Sequence, residues 1–338
     1  MSKSVPYSDS QTLITGVYRT GSEYVAQLIN SHPEISVTMY RVNVIRFIYD
    51  RYNPIADEKN YTSALNELEE RLRVRYDLSI DKDLILDSFS KVRNLDYGKF
   101  YDIVMNVLYL SKTVHHWAEK NQLLWREIPL FIDMMPNGKA ILIIRDPRSV
   151  LLSFKKYTYA EPPAYLGAVF NCLDSMQYAL IYKDQFPSNK LFVVRYEDAA
   201  KKPVETARRI WRFLGLSEKF DITVEEMAGW TDAYGKTWQV NSSFHSDDNP
   251  LPFDVKAAIN RWKNLLSEGE ISLVEGVCVD IMEKFGYERS LKSPDWLSAI
   301  RLFVSDEKVM SYFKHWLLTG EGIEAFPTDP LKPENWRV

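Results

Sequence analysis

Two glycines, Gly16 and Gly21, bracket a short loop that carries Arg19 and runs on into Ser22-Glu23. A loop of this kind ahead of a helix aims several backbone N–H groups and the helix dipole at one point. With the guanidinium of Arg19 added, that point suits a phosphate-like anion. The spacing is the GxxxxG half of a nucleotide-triphosphate loop, but Ser22-Glu23 stands where Lys-Ser/Thr would complete it. A triphosphatase needs that lysine on the β- and γ-phosphates and the hydroxyl on Mg²⁺. Glu23 cannot do the first, and Ser22 is displaced for the second. Metal-free chemistry on a diphosphate-like anion fits these residues better. Taken alone, the segment is also satisfied by a plain glycine turn between strand and helix.

The remaining reactive side chains narrow the field. Cys172 and Cys278 lie far apart, and His32, His115, His116, His245 and His315 show no metal-ligand spacing, so no metal is expected. The 338 residues include 42 basic and 46 acidic side chains, a formal charge of −4. Near balance argues against a nucleic-acid binder that works through bulk electrostatics, while leaving room for a local basic pocket. A hydrophobic share of 46%, with aromatics at 13%, excludes a disordered chain and supplies material for pocket walls. The opening residues lack the apolar core of a signal peptide, and no run reaches the length of a membrane span. A cytoplasmic protein with reduced thiols is the expectation.

Positioning these residues requires particular elements. Gln11–Val17 reads as a buried strand, and Ser22–Asn30 as a helix that His32-Pro33 stops. The charged spacing over 61–75 predicts a solvated helix, and the apolar spacing over 100–118 predicts another. Lys139–Arg145 has the unbroken apolar run of a strand covered on both faces, followed by a helix from Ser149. Leu191–Arg195 repeats that form, ahead of a helix from about Pro203 to Leu214 with Gly215 as its C-cap. Such alternation predicts an α/β fold, a mostly parallel sheet with helices on both faces, whose ligands gather at the strands' carboxyl ends. The polar segment 1–10, one domain over 11–290 and a C-terminal extension over 291–338 packed on it account for the length.

Beyond the loop, Ile143-Ile-Arg145-Asp146-Pro147-Arg148-Ser-Val-Leu-Leu-Ser153 resembles the 3′-phosphate segment of the sulfotransferases that use 3′-phosphoadenosine 5′-phosphosulfate (PAPS). Tyr18-Arg19-Thr20-Gly21-Ser22 is similar to that family's 5′-phosphosulfate loop. Ser31-His32-Pro33-Glu34-Ile35, Val194-Arg195-Tyr196-Glu197-Asp198, Phe213-Leu214-Gly215-Leu216 and Trp238-Gln-Val-Asn241-Ser242-Ser243-Phe244 continue the likeness in order. Arg261-Trp262-Lys263 and Phe285-Gly286-Tyr287 close it, so it spans about residues 11–290. The resemblance implies the P-loop-like sulfotransferase architecture, shared with nucleoside-triphosphate hydrolases, of the bacterial and carbohydrate-acting branch.

It also implies roles. Arg145 and Ser153 would hold the 3′-phosphate of PAPS. Arg19, Thr20, Gly21, Ser22, Glu23 and Tyr24 would cradle the 5′-phosphosulfate, with Arg19 offsetting charge on the departing phosphate. Lys120, in Glu119-Lys120-Asn121, is the match for a second catalytic cation near the bridging oxygen. Tyr196 would orient the nucleotide, and Asn241, Ser242 and Ser243 would wrap it. Tyr40 and Arg41 are assigned to the acceptor pocket, in the stretch Thr38 to Val42, which has no carboxylate where some members carry their base. By type, His115, His116, Glu23 and Glu127 all remain open as that base. The implied activity is sulfuryl transfer from PAPS to a hydroxyl or amine of a small molecule or sugar. A nucleotide kinase or triphosphatase, and an inactive nucleotide-binding scaffold, are the alternatives.

Overall fold

A computed structural model describes residues 8–39, 42–111, 114–157, 163–220 and 255–325. Its centre is a sheet of five parallel strands: β1 (Ser10–Gly16), β2 (Ile35–Met39), β3 (His116–Lys120), β4 (Lys139–Ile144) and β5 (Leu191–Arg195), in the order β2-β3-β1-β4-β5. The chain leaves β1 on one side to make β2 and β3, then crosses to the other side for β4 and β5. Ligands bind in α/β sheets at such a change of direction. The register pairs Ile14 with Lys120 and Gly16 with Ile143. Lys120, the loop after Gly16 and Arg145 therefore all leave the sheet at one edge.

Side chains alternate between two cores, as the pleat demands. Leu13, Trp117, Ala140 and Leu142 face the larger one; Ile14, Ala118, Ile141 and Ile143 face the smaller. The smaller core is closed by α1 (Ser22–Asn30), through Val25 and Ile29, and by a later helix carrying Ile210 and Trp211. Helices on both faces, a mostly parallel sheet and a P-loop-like order are thus all present.

Two parts of the sequence reading are corrected. The helix expected over 100–118 stops early: α2 (Val44–Phe47), α3 (Glu58–Tyr76) and α4 (Lys82–Lys91) are followed by α5 (Tyr97–Tyr109), and 116–120 is strand β3. Helical spacing holds through Leu108, whereas Trp117 and Ala118 point to opposite faces. The polar pair Glu119-Lys120, buried in the sheet, deprives β3 of the apolar run that marks β4. The charged helix is α3, and it is not solvated all round. Its Ala64, Leu65, Leu68 and Leu72 are buried, and Arg71 lies 3.9 Å over the Phe47 ring while pairing with Glu67.

The later helices are α6 (Ile128–Met134), α7 (Pro147–Tyr157), α8 (Ala168–Gln185), α9 (Tyr196–Lys201) and α10 (Pro203–Leu214). They are followed among the described residues by α11 (Val255–Asn260), α12 (Trp262–Leu265), α13 (Glu268–Lys284), α14 (Trp296–Arg301) and α15 (Glu307–Thr319). Helix α7 begins at Pro147, two positions ahead of the expected Ser149, because proline suits the first helical turn. Gly215 caps α10 at a φ of 85°. Past α13 the described residues stay against the body: the Trp296 ring fills the space beside Gly276, and Gly322 lies on the backbone of α8 at Asp174.

Candidate anion-binding active site

The loop after β1 is built for close approach. A Cβ on Gly16 would sit 2.5 Å from the Ile143 carbonyl, and one on Gly21 would sit 2.2 Å from the Tyr196 ring. Gly21, at a φ of 83°, is also the N-cap of α1. Thr20 folds the loop back by donating its hydroxyl to the Val17 carbonyl at 2.8 Å. Arg19 takes a φ of 69°, a strained value for a side-chain-bearing residue. The first N–H groups of α1, at Ser22, Glu23 and Tyr24, open towards the same edge, beyond reach of any intrahelical carbonyl.

On the β4 side, Arg145 lies over the Tyr196 ring at 4.2 Å and donates to the carbonyls of Arg19 (3.0 Å) and Ala258 (2.7 Å). Its Nε is buried with no hydrogen-bond partner among the described residues. Ser153, on α7, accepts from Arg19 Nε at 3.1 Å, which ties the loop to the helix that follows β4. Behind them, Arg148 pairs with Asp146 at 2.8 Å and Glu275 at 2.6 Å and stacks on Trp262 at 3.9 Å. Glu197 accepts from the Asp146 N–H and from the Tyr287 hydroxyl. Tyr196 stands edge-on to Tyr24, whose hydroxyl burial pushes up to about 12.

On the β3 side, Lys120 is wholly buried and its Nζ lies 3.5 Å from a carboxylate oxygen of Glu23, whose side chain is about one-third exposed. Burial lowers the Lys120 ammonium to about 8, against the opposing pull of Glu23. The neighbouring Glu119 accepts from the backbone N–H groups of Val42 and Asn43 and from the Tyr101 hydroxyl. After β3, Asn121 and Leu123 donate backbone N–H groups to Ile14 and Gly16, and the Gln122 amide donates to Ser22 Oγ at 2.7 Å. Leu123 does this at a φ of 57°, a costly value for a branched side chain.

Arg19, Thr20, Gly21, Ser22, Glu23, Tyr24, Lys120, Arg145, Ser153 and Tyr196 thus meet at one edge of the sheet. Tyr40, Arg41, Asn241, Ser242 and Ser243 lie outside the described residues. Of the base candidates, His115 and His116 sit at the amino end of β3, opposite the site. Glu127 caps α6, where its charge bears on Tyr182 and Glu324. Sequence reading missed Gln122, Glu119 and Glu275. None carries a local signal, since each acquires its partner from a distant part of the chain.

The fold and this cluster define an α/β protein with Arg19, Lys120 and Arg145 gathered near a helix N-terminus. The model of the sulfotransferase family matches residues 12–221, and the chain belongs to that family. Carbohydrate sulfotransferase 2 of Mus musculus is 33% identical over 172 residues, covering 45% of this chain and 30% of the relative. Carbohydrate sulfotransferase 1 of Danio rerio is 24% identical over 207 residues, covering 54% and 46%. The chain therefore spans less than half the length of these curated relatives. Among solved structures, the sulfotransferase domain of the Synechococcus PCC 7002 olefin synthase superposes with a TM-score of 0.52 at 16% identity, covering 84% of this chain and 96% of that one. That likeness bears on the fold.

Proposed function

We propose that the chain transfers a sulfuryl group from PAPS to a hydroxyl or amine of a sugar or small-molecule acceptor. The observation that carries this is the convergence of Arg19, Lys120 and Arg145, from three separate strand ends, on the N-terminus of α1. A nucleotide with a 3′-phosphate and a 5′-phosphosulfate presents two anionic groups to such a set. Arg145 and Ser153 take the 3′-phosphate, and the loop from Arg19 to Tyr24 takes the 5′-phosphosulfate. Membership of the family supports the chemistry, and the carbohydrate-acting relatives support a sugar as acceptor. A kinase reading would need a lysine on the β- and γ-phosphates, and Ser22-Glu23 stands in place of the Lys-Ser/Thr pair.

In the reaction, the acceptor atom forms a bond to sulfur in line with the bond that breaks to the bridging oxygen. The electron pair stays on the 5′-phosphate, where Arg19 and the Lys120 ammonium offset it. Residues 11–290 carry this activity in the proposal, with 291–338 as an extension. A cytosolic setting belongs to it too, supported by the two free, buried cysteines. Calorimetry with 3′-phosphoadenosine 5′-phosphate, the product nucleotide, tests the central point. Arg145→Ala should weaken binding by about 2–3 kcal/mol, the loss of a charge-assisted contact. Tighter binding of ATP·Mg²⁺, or an unmoved affinity in the variant, would sink the reading.

A further inference from the structure

Sulfuryl transfer to a hydroxyl leaves a proton to be removed, and the group that takes it must stand beside the reacting atoms. We infer that Glu23 is this general base, its carboxylate held at the reacting centre by Lys120. The inference rests on the sulfotransferase reading above and assigns the one role that reading leaves empty.

The argument is geometric. The nucleotide sites lie across the sheet in sequence, with Arg145 and Ser153 on the β4 side of β1 and Lys120 on the β3 side. The bridging oxygen belongs near Lys120, so the acceptor approaches from the β3 flank. Glu23, in the first turn of α1, reaches to 3.5 Å from Lys120 Nζ on that flank and stays about one-third exposed. It is both close to the charge that develops and open to an incoming molecule.

Its rivals fail on the same two criteria. His115 and His116 are at the far end of β3, four residues before Lys120 or more, which is about 13 Å of strand. Glu119 has the right strand but not the access. It is wholly buried and both of its oxygens already accept, one from Val42 and Asn43, the other from Tyr101. Glu127 stands at the N-cap of α6, in the segment after β3 rather than on α1 beside Lys120. Glu23 also resolves the oddity of the loop. A carboxylate beside a phosphosulfate repels it, unless the carboxylate is paired with a cation that the donor also needs.

The step balances without a further reactant. The acceptor O–H or N–H proton passes to a Glu23 carboxylate oxygen as the acceptor–sulfur bond forms. The sulfur–bridging oxygen bond breaks, and 3′-phosphoadenosine 5′-phosphate leaves with the electron pair. Glu23 then returns its proton to water.

The test is the release of inorganic sulfate from PAPS with water as acceptor, run beside calorimetry with the product nucleotide. Glu23→Gln keeps an oxygen for Lys120 but cannot take a proton, so sulfate release should fall by roughly 100-fold or more. The denaturation midpoint should stay at the parent's value, which certifies the fold. Formate, a small diffusible carboxylate, should restore part of the rate in Glu23→Ala. A Glu23→Gln rate within about threefold of the parent overturns the inference and leaves Glu23 as a holder of Lys120. Failure of the parent to bind the product nucleotide overturns the sulfotransferase reading itself.

Discussion

The two flanks of β1 bury cations in opposite ways. On the β4 flank, Arg148 is buried, yet its partners more than offset that cost: Asp146 and Glu275 leave the guanidinium raised above its ordinary value. Glu275 mirrors it. Burial raises its carboxyl, but hydrogen bonds from Ser290, the Leu291 N–H and Arg148 win, and the group ends lowered. On the β3 flank, burial wins instead, and Lys120 sinks to about 8 despite Glu23. Around Arg148 the first flank is a hydrogen-bonded network that backs the nucleotide side. The second holds a wholly buried cation against a partly exposed carboxylate, Glu23, at the edge where the phosphosulfate is proposed to sit.

The sharpest way to break that contrast is to remove one charge from each flank. Glu275→Ala leaves Arg148 buried against Trp262 with a carboxylate missing, and strips the Ser290 and Leu291 N–H groups of their acceptor. Loss of one partner from a buried pair should cost about 3–5 kcal/mol of stability. Denaturant unfolding of the variant measures it, and a loss under about 1 kcal/mol would mean that the β4 flank is not a network at all.

Lys120→Met should go the other way on stability and far down on turnover. Below pH 8 the folded chain carries the ammonium at a cost the unfolded chain, with its value of 10.5, does not bear. That cost shrinks as pH rises from 8 to 10.5, so an apolar replacement should stabilise most at neutral pH and least in alkali. Turnover should drop by a factor of about 10²–10³, the usual loss when one donor to developing charge is deleted. The pH profile sharpens the point. The parent's kcat/KM should fall about tenfold per pH unit above 8, where the free enzyme's Lys120 loses its proton. In Lys120→Arg that alkaline limb should vanish, because guanidinium does not titrate there. A limb that persists belongs to another group.

The β4 flank was legible in sequence and the β3 flank largely was not, for a physical reason. Strands β4 and β5, and the turns after them, follow from apolar runs and from local punctuation such as Asp146-Pro147 and Gly215. Strand β3 fills its carboxyl end with Glu119 and Lys120, buried through contacts to residues 42, 43, 101 and 23, all distant in sequence. No window of sequence holds that information. Lys120 was reached through resemblance, and neither its burial nor its pairing with Glu23 came with it. The short strand β2, whose buried Ile35 and Val37 are followed by a buried polar Thr38, escaped for want of an apolar run.

The smallest expected effect tests whether the flanks communicate. Ser153 belongs to α7 on the β4 side, and its hydroxyl accepts from Arg19 Nε at 3.1 Å. Removing that acceptor in Ser153→Ala should cost about 0.5–1.5 kcal/mol, a few-fold in kcat/KM. The donor lacking a 3′-phosphate, adenosine 5′-phosphosulfate, separates two accounts of the loss. If Ser153 acts on the 3′-phosphate, the variant's penalty should disappear with the truncated donor. If Ser153 acts by orienting Arg19, the penalty should persist with both donors, and Arg19→Ala should abolish any further effect of Ser153→Ala. Additive losses in the double variant would show that the hydrogen bond between them carries no function, and that the flanks meet only through the nucleotide.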